Sequence, residues 1–174
     1  WSPGDNIFKN LSNEYMLLHH PYDSFEPVLE FIEQAAKDPK VLAIKQTLYR
    51  TAKNSRVISS LIRAAENGKQ VTVVVELKAR FDEARNLERA EELEMAGVQI
   101  IYGVKGLKTH SKVTLVVRNE GDELKRYVHF GTGNYNEITA GLYTDISYMT
   151  CKRKYGYEAA SFFNALTGGS KLVS

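Results

Sequence analysis

Apolar residues first settle into a helical rhythm after Ser24. Phe25, Val28, Leu29, Ile32, Ala35 and Ala36 recur at three- and four-residue steps, which puts them on one face of an α-helix, and Asp38-Pro39 ends it. Residues 41–48 then read as a strand. Ser55 is placed to cap a second helix, whose apolar stripe is Val57, Ile58, Leu61, Ile62 and Ala65 and whose stop is Asn67-Gly68. Residues 71–77 are almost wholly apolar and β-branched, the pattern of a strand covered on both faces. A third helix, rich in Glu and Arg on its outer side, is expected from about Asp82 to Gly97, followed by a strand over residues 98–102. The order β-α-β-α-β implies a parallel sheet with right-handed crossovers.

The pattern then changes. Residues 111–118 and 124–130 are two strands joined by Asn119, Glu120, Gly121, Asp122 and Glu123, a hairpin signal. A Gly- and Asn-rich turn follows, then a strand over 143–150 and a closing helix over 157–166. Residues 1–15, with Pro3, Gly4, Asp5, Asn6 and Asn10, read as a lead-in segment, and 167–174 as a flexible tail. The expectation is one α/β domain spanning 1–174, with a mixed sheet flanked by helices.

Composition narrows the picture. The 174 residues are 43% hydrophobic and 25% charged, as in ordinary globular proteins. No apolar run reaches bilayer length. Cys151 is the single cysteine, which excludes an intramolecular disulfide and a Cys-based zinc site and fits a reducing compartment. A net charge of +2 is too small for a general polyanion binder, so any anion site must come from locally gathered charge. The chain opens at Trp1 rather than Met and reads as a piece of a longer protein.

Ligands of open α/β sheets bind at the carboxyl ends of the parallel strands. Arg50 follows the first parallel strand, Arg80 the second, and Lys105 and Lys108 the third. His110 opens the next strand from this same edge. The hairpin returns Gly131, Thr132, Gly133 and Asn134 to it, and Tyr143 and Asp145 leave from it. Strand alternation puts His110 and Lys112 on one face, roughly 7 Å apart at about 3.3 Å per residue. That spacing suits a phosphoryl group: a neutral imidazole is a good nucleophile near pH 7, and an ammonium neutralises the oxygens. Arginine forks suit phosphates further along a chain. His19, His20 and His129 lack such surroundings and read as structural, His129 packed against the sheet. Asp145 is read as orienting His110 or another site group.

His110-Ser111-Lys112 with Gly131-Thr132-Gly133-Asn134 resembles the phospholipase D superfamily. Its phosphodiesterase members carry an Asp five residues after the lysine, where this chain has Val117. A closer resemblance covers nearly the whole chain. His20-Pro21-Tyr22-Asp23-Ser24-Phe25, residues 44–50, 73–82, 106–112, 131–137 and 142–145 together are similar to the first C-terminal catalytic domain of long-form bacterial polyphosphate kinases.

That resemblance implies a phospholipase D-like fold and reversible transfer of the ATP γ-phosphate to inorganic polyphosphate through a phosphohistidine at His110, assisted by Lys112. It also implies a nucleotide contact at Tyr143 and a Mg²⁺–phosphate site at Arg50 and Arg80. A guanidinium has donors only, so these arginines are read as phosphate clamps beside an ion held by phosphate oxygens and water. Asn134 would donate to a phosphoryl oxygen. The implied partners are ATP or ADP, polyphosphate and the other domains of the same polypeptide, with no nucleic acid, and the full-length enzyme is expected to be a homo-oligomer. The expected location is the cytoplasm, at most against the inner face of the membrane, and the isolated fragment is expected to be nearly inactive. The alternatives are a phospholipase D-type phosphodiesterase and a non-catalytic polyanion-binding module.

Overall fold

A computed structural model of the chain describes residues 1–48, 56–75, 89–102, 112–132 and 145–171. Seven strands form one mixed sheet: β1 (Met16–His20), β2 (Val41–Leu48), β3 (Gln70–Val75), β4 (Gln99–Tyr102), β5 (Lys112–Asn119), β6 (Leu124–Gly131) and β7 (Asp145–Thr150). Their order is β1-β7-β6-β5-β2-β3-β4. β2, β3 and β4 run parallel, and every other pairing is antiparallel. The described helices are α1 (Ile7–Asn13), α2 (Glu26–Lys37), α3 (Arg56–Glu66), α4 (Ala90–Ala96) and α5 (Arg153–Lys171).

The apolar stripes read from the sequence become the larger core. Val28, Leu29 and Ile32 of α2 and Val57, Ile58 and Leu61 of α3 close over Ile44, Val73, Val75 and Val116. Full burial of each such side chain contributes about 1.5–3 kcal/mol. On the opposite face a smaller core joins Val74, Val113, Leu115 and Val128 to Ala159, Phe163 and Leu166 of α5. Alternating strand residues therefore feed two different cores, which is why β3 reads as continuously apolar. Asn67-Gly68 ends α3 as expected, Gly68 taking a positive φ of 86°.

Two expectations are corrected at the termini. The lead-in contains α1, whose N-terminal amides on Phe8 and Lys9 donate to Asn6 Oδ1 at 3.0 and 3.1 Å. Ile7, Phe8 and Leu11 of this short helix are buried, and the Phe8 ring meets Tyr127 edge-on at 4.9 Å. β1, absent from the sequence reading, pairs with β7 at the sheet's edge. At the other end the closing helix begins at Arg153 and continues through Gly168-Gly169-Ser170 to Lys171, so residues 167–171 are helical rather than a loose tail. Gly156 lies inside this helix because a Cβ there would stand 2.8 Å from Arg126 Cβ. The glycine lets α5 approach β6 closely. The third helix is corrected: α4 begins at Ala90, where Arg89 is left-handed with a φ of 68°, so it is not one helix running from near Asp82, although it ends at Gly97 as expected. Residues 82–88, Ser55 as a cap, and the strand residues 76–77, 111 and 143–144 lie outside the described residues.

Candidate active site at the sheet rim

Strand directions bring one set of ends together. β1, β2, β3, β4 and β6 finish at the same rim from which β5 and β7 start, as the pairs Leu48–Val75, Val75–Tyr102, Lys112–Gly131, Gly131–Ser147 and His20–Asp145 require. β2 is the strand at which the sheet changes from parallel to antiparallel. Its pairing with β5 runs from Val41–Arg118 to Gln46–Thr114. Beyond that, the Thr47 hydroxyl takes the Val113 N–H at 3.0 Å. A side chain thus continues the ladder at the rim, at a change of strand sense of the kind that favours ligand crevices in α/β sheets.

On the side facing α2 and α3, the row nearest the rim reads Leu48, Lys112, Gly131, Ser147 and Leu18 across β2, β5, β6, β7 and β1. Behind it lie Gln46, Thr114, His129 and Met149. Lys112, Ser147, Gln46, Thr114 and His129 are all buried, with Lys112 only 5% exposed. A lysine is almost never buried so deep unless its charge is paired. One row further in, Ile44, Val116 and Tyr127 return to the apolar core.

Gly131 has a specific reason to be glycine. A Cβ there would meet the His129 ring, 3.0 Å from Cε1 and 3.4 Å from Nε2. The imidazole therefore leans from the second row toward the rim and lies against the Gly131 backbone. Complete burial, with repulsion from nearby His20 as a lesser cause, lowers the pKa of His129 to about 3. It is neutral at pH 7.

His20 is equally buried. Its Nδ1 stands 3.0 Å from the Asp23 carbonyl and its Nε2 2.9 Å from Ser147 Oγ. A carbonyl only accepts, so Nδ1 carries the proton, and in the neutral ring Nε2 accepts the Ser147 hydroxyl. Beside this link Thr132 joins β6 to β7: its N–H donates to the Ile146 carbonyl at 3.1 Å, and its Oγ1 accepts the Ile146 N–H at 2.9 Å.

Of the residues singled out from the sequence, Lys112 takes its place at this rim. Arg50, Arg80, Lys105, Lys108, His110, Asn134 and Tyr143 lie outside the described residues. Asp145 opens β7 opposite His20. Sequence reasoning left out Ser147, treated Thr132 only as part of a turn motif and read His20 as structural; the meeting of His20 with Ser147 depends on β1 lying beside β7. Among the described residues, no cluster of three or more His, Cys, Asp or Glu side chains could hold a metal ion. Nor, among them, is any helix long and apolar enough to cross a membrane.

The chain's similarities agree with this arrangement. Residues 6–172 match the family model described as polyphosphate kinase C-terminal domain 1. A polyphosphate kinase of Rhodopirellula baltica is 59% identical over 169 residues, covering 97% of this chain but 20% of that protein. The chain thus spans about a fifth of that relative's length. The crystal structure of polyphosphate kinase from Porphyromonas gingivalis superposes with a TM-score of 0.84 at 36% identity, over 95% of this chain and 28% of the other. Nuc of Salmonella typhimurium, a phospholipase D family member, shares the fold at a TM-score of 0.62 and 15% identity, over 89% of this chain and 92% of the other. With the family match spanning nearly its whole length, the chain belongs to the polyphosphate kinase C-terminal domain 1 family, on a phospholipase D-like fold.

Proposed function

We propose that this domain, within its full-length enzyme, carries the nucleophile for reversible transfer of the ATP γ-phosphate to inorganic polyphosphate, and that the nucleophile is His110. The observation that carries the reading is the burial of Lys112 at the rim, in a row otherwise made of small or apolar groups. A chain advances at most about 3.6 Å per residue, so two residues reach about 7 Å. His110 stands two residues before Lys112, Arg50 two after Leu48, Asn134 two after Thr132, and Tyr143 two before Asp145. The four described anchors lie on neighbouring strands about 4.8 Å apart. That adjacency supports reading the four residues, with Arg80 five residues after Val75, as parts of one site.

In this reading an imidazole nitrogen of His110 attacks the γ-phosphorus, a P–N bond forms, and the bond to the β-phosphate oxygen breaks to release ADP. A terminal oxygen of polyphosphate then attacks the phosphohistidine, and the P–N bond breaks. Lys112, Arg50 and Arg80 neutralise charge spreading over the transferred oxygens. Asn134 donates to one of them and Tyr143 contacts the nucleotide. Mg²⁺ is part of the substrate here, carried on phosphate oxygens, since arginines cannot ligate it. A phosphodiesterase reading is less favoured: at the position where those enzymes carry an Asp, Val117 lies in β5 and packs with the apolar cluster under α5.

Incubation of the full-length enzyme with γ-labelled ATP is expected to give an acid-labile, base-stable protein label. Its persistence at wild-type level in His110→Ala would sink the assignment.

A further inference from the structure

Among the buried polar groups of the rim that the transfer steps above do not use, two are hydrogen-bonded to each other. His20 ends the edge strand β1, and Ser147 lies in β7, 127 positions later in the sequence. His20 is 1% exposed and Ser147 3%. The ring is held on three sides: by the Asp23 carbonyl at Nδ1, by Ser147 at Nε2, and by the Phe25 ring edge-on at 5.2 Å. Asp23 itself is tied back to β1, its N–H donating to the His19 carbonyl and its Oδ2 accepting the His19 N–H at 2.8 Å. The turn after β1 is thus a rigid mount for one imidazole.

What the mount fixes is the register of the rim. Ser147 is the direct partner of Gly131, and Gly131 the direct partner of Lys112. Because Gly131 has no side chain, nothing on its own residue stands between the Lys112 and Ser147 positions on this face. The backbone spacing β5–β6–β7 is then what sets where Lys112 presents its ammonium relative to the start of β7. A hydroxyl that donates to His20 ties Ser147 of that row diagonally to the last residue of β1, which pairs with Asp145 nearer the rim.

We propose that His20 is a positioning residue for phosphoryl transfer: its imidazole, aligned by the Asp23 carbonyl, holds the Ser147 hydroxyl and thereby fixes the Lys112–Gly131–Ser147 row. The inference rests on the reading of this rim as the transfer site. It requires the acceptor at Nε2 rather than merely a filled space.

The test uses the full-length enzyme and single-turnover labelling from γ-labelled ATP at saturating concentration. The rate constant reports geometry in folded molecules, whereas the amplitude reports how many are folded. His20→Asn keeps a donor for the Asp23 carbonyl but is too short to bring an acceptor to the Nε2 position; Ser147→Ala removes the same bond from the other side. Each is expected to lower the rate constant about tenfold, and the double variant no further, because both break one interaction. Wild-type rate constants in both single variants, with only amplitude or melting temperature reduced, would overturn the proposal, as would additive losses in the double variant. His110→Ala is run alongside. Label on a residue other than His110 would defeat the nucleophile assignment, while the comparison of rate constants still decides the role of His20.

Discussion

The two ends of β5 and β6 are built from similar residue types and do opposite things. At the hairpin end, polar groups close on one another. Arg118 Nε donates to Asp38 Oδ2 at 2.8 Å, its Nη1 lies 3.3 Å from Glu120, and the Tyr127 hydroxyl donates to Glu120 Oε2 at 2.8 Å. The Arg118 guanidinium also sits over the Phe8 ring at 5.5 Å. At the rim end the polar groups are more deeply buried, and they lie around Lys112 with the His129 ring against Gly131. The Gln46 amide, fully buried in the second row, finds no hydrogen-bond partner among the described residues. A protein tolerates such groups where they serve something other than its own stability. The hairpin end is a structural network, and the rim end is the site we propose.

Substitutions at the two ends should separate stability from activity. Lys112→Ala in the full-length enzyme is expected to slow labelling from γ-labelled ATP by about 100-fold or more, the usual loss when one donor to a developing anion is removed. Its urea midpoint should change little by comparison. Arg118→Ala should do the reverse. It strands Asp38 and Glu120 in a half-buried setting, so the 174-residue chain should lose roughly 2–3 kcal/mol in urea unfolding. The labelling rate constant of folded enzyme should stay as it was. If both variants lost rate and stability together, the two ends would not be distinct.

A smaller effect comes from His129. Its folded pKa of about 3 lies below the ordinary 6.5, so as pH falls the unfolded chain takes up the proton first. The stability associated with the neutral ring is therefore full above about pH 6.5 and is lost progressively toward pH 3. Between pH 7 and pH 5 the expected loss is roughly 2 kcal/mol. His129→Gln should flatten that slope, as read from urea midpoints across the pH range. An unchanged slope would assign the pH dependence to other groups.

Much of this was legible before any coordinates. α2, α3, β2, β3 and the β5–β6 hairpin follow from local periodicity and from stops such as Asn67-Gly68, because each is decided by residues close in sequence. α1 was hidden by its brevity and by the Pro, Gly and Asn residues around it. β1 was hidden for a different reason: its partner β7 lies about 130 residues away, and alternation over five positions is weak evidence alone. α5 was read too short, from 157 to 166: Gly168-Gly169-Ser170 read as a tail, and Gly156 inside the helix answers a contact with Arg126 that only the packed fold creates. The site divides in the same way. His-x-Lys placed Lys112 correctly at the rim, whereas His20, Ser147 and Thr132 have no local signature and gain meaning only from the order β1-β7-β6-β5.

The central claim is that the rim's chemistry passes through His110, and locating the phosphate tests it most directly. Full-length enzyme exposed briefly to ATP, digested at neutral to alkaline pH and mapped by mass spectrometry should carry the modification on His110. Phosphate found on a different residue, with His110 unmodified, would contradict the account.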